Sequence, residues 1–147
     1  MKIANEEQFN KLNIFGKGEE NTMFGEYFIG KSYLNPITYP GKDPIFALNV
    51  TFEPGCRNNW HIHQAKTGGG QMLLCIAGEG WYQEEGSEAV SLVPGTCITI
   101  APGVKHWHGA KNDSWFSHIA IDVPGEETSN EWCEAVSDEV YNVLNEA

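Results

Sequence analysis

His61 and His63 stand two apart in "WHIHQ", and His106 and His108 stand two apart in "KHWHG". A fifth histidine, His118, lies in "WFSHIAI", and the chain has no others. Neutral imidazole is the side chain most often used to ligate metals. On a strand, residues two apart point to the same face. Each His-x-His pair therefore presents both rings to one side, leaving Trp60 and Ile62, or Trp107, on the other. His118 alternates in the same way with Phe116 and Ala120. Two such pairs aimed into one interior would gather imidazoles around a metal ion. The competing reading is a set of half-buried histidines, each satisfied by its own hydrogen bond.

Strands must position these rings, and the sequence supplies them. From about residue 24, short apolar or alternating segments recur: "MFGEYFIG", "IFALNVTF", "QMLLCIAGEGWYQ", "AVSLV", "TCITIA", "HWHG" and "WFSHIAID". Turn dipeptides separate them, among them Pro40-Gly41, Pro54-Gly55, Pro94-Gly95 and Pro102-Gly103. Many short strands at this spacing predict an all-β sandwich or barrel over residues 24–123. Asn5 and Gln8 mark a helix start before it. After Pro124-Gly125 the chain reads as a helical tail over 128–147. Thr128 and Glu131 form a capping-box pattern, and Ser137 can cap "DEVYNVLNEA". The tail is expected to pack over the β-core.

The chain has 147 residues and a formal net charge of −11, so one domain with a substantial core is expected. That charge repels nucleic-acid phosphates and anionic headgroups, which argues against both partners. The opening segment is polar and acidic, and no apolar run approaches spanning length, so the expected location is the cytoplasm. Cys56, Cys75, Cys97 and Cys133 form no CxxC pair and are expected as reduced thiols.

The histidine-bearing segments resemble the cupin superfamily. The first cupin motif reads Gly, five residues, His-x-His, a short gap, Glu, six residues, Gly. Here "GCRNNWHIH" supplies Gly55, His61 and His63, and "QMLLCIAG" supplies the six-residue spacing from Gln71 to Gly78. The second motif matches "GTCITIAPGVKH", Gly95 through Gly103 to His106, with Ala101 in the proline place. More narrowly, the sequence resembles a bacterial subgroup in which glutamine replaces the glutamate. That subgroup includes manganese-dependent hydroxynitrile lyase cupins and the cupin portions associated with carboxymuconolactone decarboxylase-like proteins. The resemblance implies a jelly-roll-like cupin barrel holding one divalent transition metal on His61, His63, Gln71 and His106. Manganese is the metal it implies, while nitrogen and oxygen donors also suit Fe, Ni, Co or Zn. Family habit and the surplus of aromatic residues suggest a homodimer.

The chain departs from the motif in the gap from His63 to Gln71, which contains "KTGGG". Gln64 competes as the fourth ligand, but neighbours on a strand face opposite ways, which favours Gln71. The glycines read either as a turn that returns the chain to the barrel or as a mobile tip. Three histidines and a glutamine are neutral, so a bound divalent ion would keep its full charge and act as a strong Lewis acid. His118 and His108 remain as proton-transfer candidates, with His108 alternatively orienting His106. Lys105 is expected to be solvated. Trp60, Trp81, Tyr82, Trp107, Trp115 and Phe116 are expected mostly in the core or an interface, any on the metal face helping to form a pocket. The functional expectation is a metal-dependent lyase, decarboxylase or isomerase for a small carbonyl, cyanohydrin or carboxylate substrate. A metal-dependent dioxygenase and a non-catalytic small-molecule-binding cupin are the alternatives.

Overall fold

The computed structural model describes residues 1–146. The chain opens with helix α1 (Glu6–Leu12), then β1 (Glu19–Glu20), a 3-10 turn (Gly25–Tyr27), β2 (Phe28–Ile29), β3 (Ser32–Pro36) and β4 (Phe46–Phe52). Next come β5 (Arg57–Asn58), β6 (His61–Gln64), β7 (Thr67–Gly68), β8 (Gln71–Gly78) and β9 (Gly80–Glu84). The chain continues through β10 (Val90–Leu92), β11 (Cys97–Ile100), β12 (His106–Ala110) and β13 (Phe116–Asp122). It closes with β14 (Gly125–Glu126), β15 (Ser129–Trp132) and helix α2 (Asp138–Val143).

These strands form two larger sheets and one small one. The first has the order β1-β3-β4-β13-β8-β11. The second runs β10-β9-β12-β5-β2, with β6 pairing to β12 and β15 pairing to β6. The all-β expectation holds, with short helices at both ends. Period-two patterning explains the alternating burial of β8, where Gln71, Leu73, Cys75 and Ala77 are buried. The central core joins Val50, Phe52, Leu73, Leu92, Ile100 and Phe116.

Both helices act as covers. Asn5 caps α1 by accepting from the Gln8 amide at 3.0 Å. Its Phe9 is fully buried and stacks on Trp115 at 5.5 Å. Burial of such a side chain stabilises the fold by about 1.5–3 kcal/mol. At the other end Ser137 caps α2, accepting from the Val140 amide at 3.2 Å. Tyr141 packs on Trp107 and donates its hydroxyl to the Ala110 carbonyl at 2.7 Å. Arg57 lies 4.2 Å over the Tyr141 ring and bonds Asp138 at 2.7 Å. This assembly covers the outer face of β12, whose alternate residues are His106 and His108.

The helical reading of residues 128–132 is corrected. Ser129–Trp132 is a strand, with Asn130 opposite His63 and Trp132 opposite His61. The Thr128–Glu131 spacing fits a capping box, but the backbone is taken by the ladder to β6. Trp132 adds a near-parallel stack on Tyr27 at 4.6 Å that a helix would not place there. Only Asp138–Val143 is helical in the tail, and Ala147 lies outside the described residues.

The glycine run is not a mobile tip. β7 pairs with β14, Gly125 opposite Gly68. Gly68, Gly69 and Gly70 all have left-handed φ, at 61, 79 and 92°. A Cβ on Gly70 would sit 2.3 Å from the Ile100 carbonyl oxygen, and one on Gly68 would sit 2.7 Å from that of Pro124. Only glycine permits this close, left-handed path, which delivers Gln71 to the first residue of β8.

Candidate metal centre

His61 and His63 project from β6 and His106 from β12, with His61 and His106 in direct register. One ring nitrogen from each of the three lies within 4.8 Å of the others. The ring centroids of His61 and His106 are 4.2 Å apart, and each lies 5.2 Å from that of His63. All three residues are buried.

Each ring is held through Nδ1. That atom meets the Asn59 carbonyl at 2.8 Å in His61 and the Val104 carbonyl at 2.9 Å in His106. In His63 it meets Asn130 Oδ1 at 2.8 Å. Carbonyl oxygens only accept, so each Nδ1 carries the proton and each Nε2 keeps its lone pair. The Nε2 atoms of His63 and His106 are buried without a hydrogen-bond partner, and so is Gln71 Oε1. Unpartnered buried acceptors are costly and require an explanation. A cation held by the imidazoles supplies one for His63 and His106, and oriented Nδ1 donors are the usual support of metal-bound histidine.

Burial favours the neutral forms of His61 and His106. Burial, and then the neighbouring His106, holds the His61 ring well below the ordinary imidazole range. Burial pushes His106 down to about 4, against the opposing pull of the Val104 carbonyl. Deprotonated imidazole is the form that ligates metal.

Gln71 is buried, lines the same cavity as His61 and His63, and donates Nε2 to Asp122 Oδ1 at 3.2 Å. Gln64 points away, exposed, and donates to Glu131 at 3.0 Å. His108 and His118 form a second pair, with His118 Nε2 3.0 Å from His108 Nδ1. Asn58 braces the His108 ring, its NH₂ lying 3.4 Å from Nδ1. Its Oδ1 accepts from the His108 backbone amide at 2.9 Å, which turns its NH₂ toward the ring, 3.2 Å from Nε2. In the contact between the two rings one nitrogen donates and the other accepts, so a single proton lies between His108 and His118. Burial pushes His118 down to about 3, and burial with the His118 ring lowers His108 also. The expectation that His108 orients His106 is corrected, because the Val104 carbonyl does so. Lys105 is not simply solvated either, since it pairs with Glu85 at 3.0 Å and Glu134 at 2.7 Å.

A cavity of about 570 Å³ opens onto His61, His63, Gln71, His108 and His118. Its apolar wall comes from Phe24, Phe28, Phe46, Leu48, Val50 and Trp132. The six aromatics singled out in the sequence do not line it. Trp107, Trp115, Phe116 and Tyr82 are instead buried in the core clusters.

The family described as "Cupin domain" matches residues 48–121. An (R)-mandelonitrile lyase from Granulicella tundricola is 37% identical over 118 residues, covering 79% of this chain and 86% of that protein. The chain belongs to the cupin family. Among solved structures, this cupin is similar to a cupin-like protein from Thermotoga maritima. That match has a TM-score of 0.78 and 33% identity, over 91% of this chain and 98% of the other. It also shares its fold with the DMSP lyase DddQ from Ruegeria pomeroyi. There the TM-score is 0.59 and the identity 20%, over 80% of this cupin and 57% of that chain.

In this cupin the three-histidine cluster suits a divalent metal, and no described helix is long and apolar enough to cross a membrane. Four contributors were missed by sequence reasoning: Asn58, Asp122, Asn130 and Trp132. Each reaches the site through strand pairing with distant residues. Alternation does put Asp122 on the inward face of "HIAID", two steps from Ala120 and four from His118, and that was the one available signal.

Proposed function

We propose that this cupin is a metal-dependent lyase for a small, partly apolar hydroxynitrile, with the metal on His61, His63, Gln71 and His106. The observation that carries this reading is the junction of an apolar cavity with the imidazole cluster and a second, buried histidine pair. The relative named as a mandelonitrile lyase supports the substrate class. Manganese is the metal we propose, on the strength of the subgroup resemblance.

When bound, the metal would supply Lewis-acid stabilisation of charge developing on a substrate oxygen or leaving group. The chain's own residues supply the rest. Phe24, Phe28 and Trp132 offer an apolar wall for the substrate's carbon skeleton and exclude water. The His108–His118 pair takes the hydroxyl proton as the carbon–nitrile bond breaks. The electron pair of that bond leaves with cyanide, the carbonyl forms, and the pair returns the proton to give hydrogen cyanide. Burial keeps both rings neutral, so one ring nitrogen of the pair has a free lone pair for the proton; because burial also disfavours the charged ring, the proton passes on readily to cyanide. Among the described residues no Lys or Arg lines the cavity, while Glu19, Glu20 and Asp122 do, which favours an uncharged substrate over a carboxylate.

The test is mandelonitrile cleavage by the Mn-loaded protein, followed by benzaldehyde release. His118→Ala is expected to retain metal and fold and to lose about 10²–10⁴ in rate. Loss of metal in His118→Ala would make it a ligand. No cleavage by the loaded wild type, or oxygen consumption in its place, would overturn the lyase reading.

A further inference from the structure

We propose that Asp122 is a positioning residue for the metal centre. It turns the Gln71 amide so that oxygen faces the imidazoles, and it lends that oxygen part of the charge of the missing carboxylate. The inference rests on the metal-site reading above.

Asp122 ends β13 directly opposite Gln71, the first residue of β8. Gln71 Nε2 donates to Asp122 Oδ1 at 3.2 Å, while Gln71 Oε1 is buried and unpartnered. A carboxylate only accepts. Turning the amide over would set Oε1 against Oδ1, acceptor against acceptor, and would replace the oxygen on the other side with an NH₂ that cannot ligate a cation. The contact therefore selects one face of a side chain whose two ends are nearly the same shape. A hydrogen bond from the amide NH₂ to a carboxylate also shifts electron density onto the amide oxygen, because bonded groups polarise one another at low dielectric. The cupin motif has a glutamate at this place. Here the negative charge stands one residue further out, with the amide between it and the cluster.

Asp122 is not itself in the cluster, which comprises His61, His63 and His106. It lines both the main cavity and a smaller polar one of about 170 Å³, and His63 and Asn130 line both as well. Asp122 is half-buried and makes no ion pair among the described residues.

The experiment is chelator competition with Mn²⁺ on wild type, Asp122→Ala, Asp122→Asn, Gln71→Ala and the Asp122→Ala/Gln71→Ala double variant. Melting curves monitor the fold, and the visible spectrum of the Co²⁺ forms reports the ligand field. Asp122→Ala is expected to weaken Mn²⁺ binding by about 10–100-fold and to shift the Co²⁺ spectrum toward that of Gln71→Ala. Asp122→Asn, which keeps an acceptor oxygen but not the charge, is expected to fall between wild type and Asp122→Ala. In the Gln71→Ala background Asp122→Ala should cost at most a small further factor. Binding by Asp122→Ala within twofold of wild type overturns the inference, and so does an undiminished effect when Gln71 is already alanine. Wild type that binds no Mn²⁺ or Co²⁺ overturns the metal site and this inference together.

Discussion

Removing the one buried imidazole that touches no proposed ligand should change how stability responds to acid. His118 is fully buried and is pushed down to about 3 by that burial. An unfolded chain holds its imidazole near 6.5. As pH falls below about 6.5, the unfolded state takes up a proton that the folded state refuses. Stability is therefore complete above about 6.5 and declines toward about 3. The difference of roughly 3.5 units at 1.36 kcal/mol per unit makes this single group worth on the order of 4–5 kcal/mol across the interval. That is comparable with the whole stability of many domains, about 5–15 kcal/mol. His108 acts in the same direction. The assay is urea denaturation of metal-free protein at pH 7.5, 6.0, 5.0 and 4.5, for wild type and His118→Gln. Glutamine does not titrate, and it can still hydrogen-bond to His108, as donor or acceptor. Its lost packing would lower stability at every pH without changing the slope. His118→Gln is expected to flatten the slope by up to about 1.4 kcal/mol per pH unit, one proton. A wild type whose stability is flat from pH 7.5 to 4.5, or a variant with the full wild-type slope, would refute the reasoning.

Asn130→Ala removes the acceptor of His63 Nδ1 and should weaken metal binding by about 10–100-fold in a chelator titration; unchanged affinity would leave Asn130 without that role. Gly70→Ala forces a Cβ against the Ile100 carbonyl at a left-handed φ, and thermal melts should show a loss of at least about 1–3 kcal/mol. An unchanged melting temperature would return the loop to a mobile tip. Gln71→Glu adds a charge that attracts metal but sets a second carboxylate against Asp122. Its affinity should exceed that of wild type at high pH and fall more steeply with acid, with an extra proton released on binding by calorimetry. An affinity that follows wild type at every pH would place Gln71 outside the coordination sphere.

The histidine arrangement was legible because it depends on local periodicity. Two residues apart on a strand is a strong constraint, so His61, His63, His106 and His108 were placed together before any pairing was known. The strands around them were legible for the same reason, marked off by Pro-Gly turns. The supporting residues were not legible, because register sets them. Nothing near Asn130 in sequence says that it lies opposite His63, and its segment carries a helix-start pattern that a strand also tolerates. Asn58 meets His108 through the pairing of β5 with β12. The glycines at 68–70 permit either a loose tip or a locked turn. Only the approach of Pro124 and Ile100, distant in sequence, decides for the locked one. The pocket aromatics were likewise hidden, since Phe24, Phe28 and Trp132 come from three separate segments and no one segment shows them as a group.

The most direct test of the metal centre is metal stoichiometry by mass spectrometry, measured on wild type and His106→Ala after dialysis against excess Mn²⁺ and desalting. About one Mn²⁺ per chain in wild type is expected, with most of it lost in His106→Ala. Full metal content in His106→Ala, with His61→Ala the same, would contradict the placement of the site on these imidazoles.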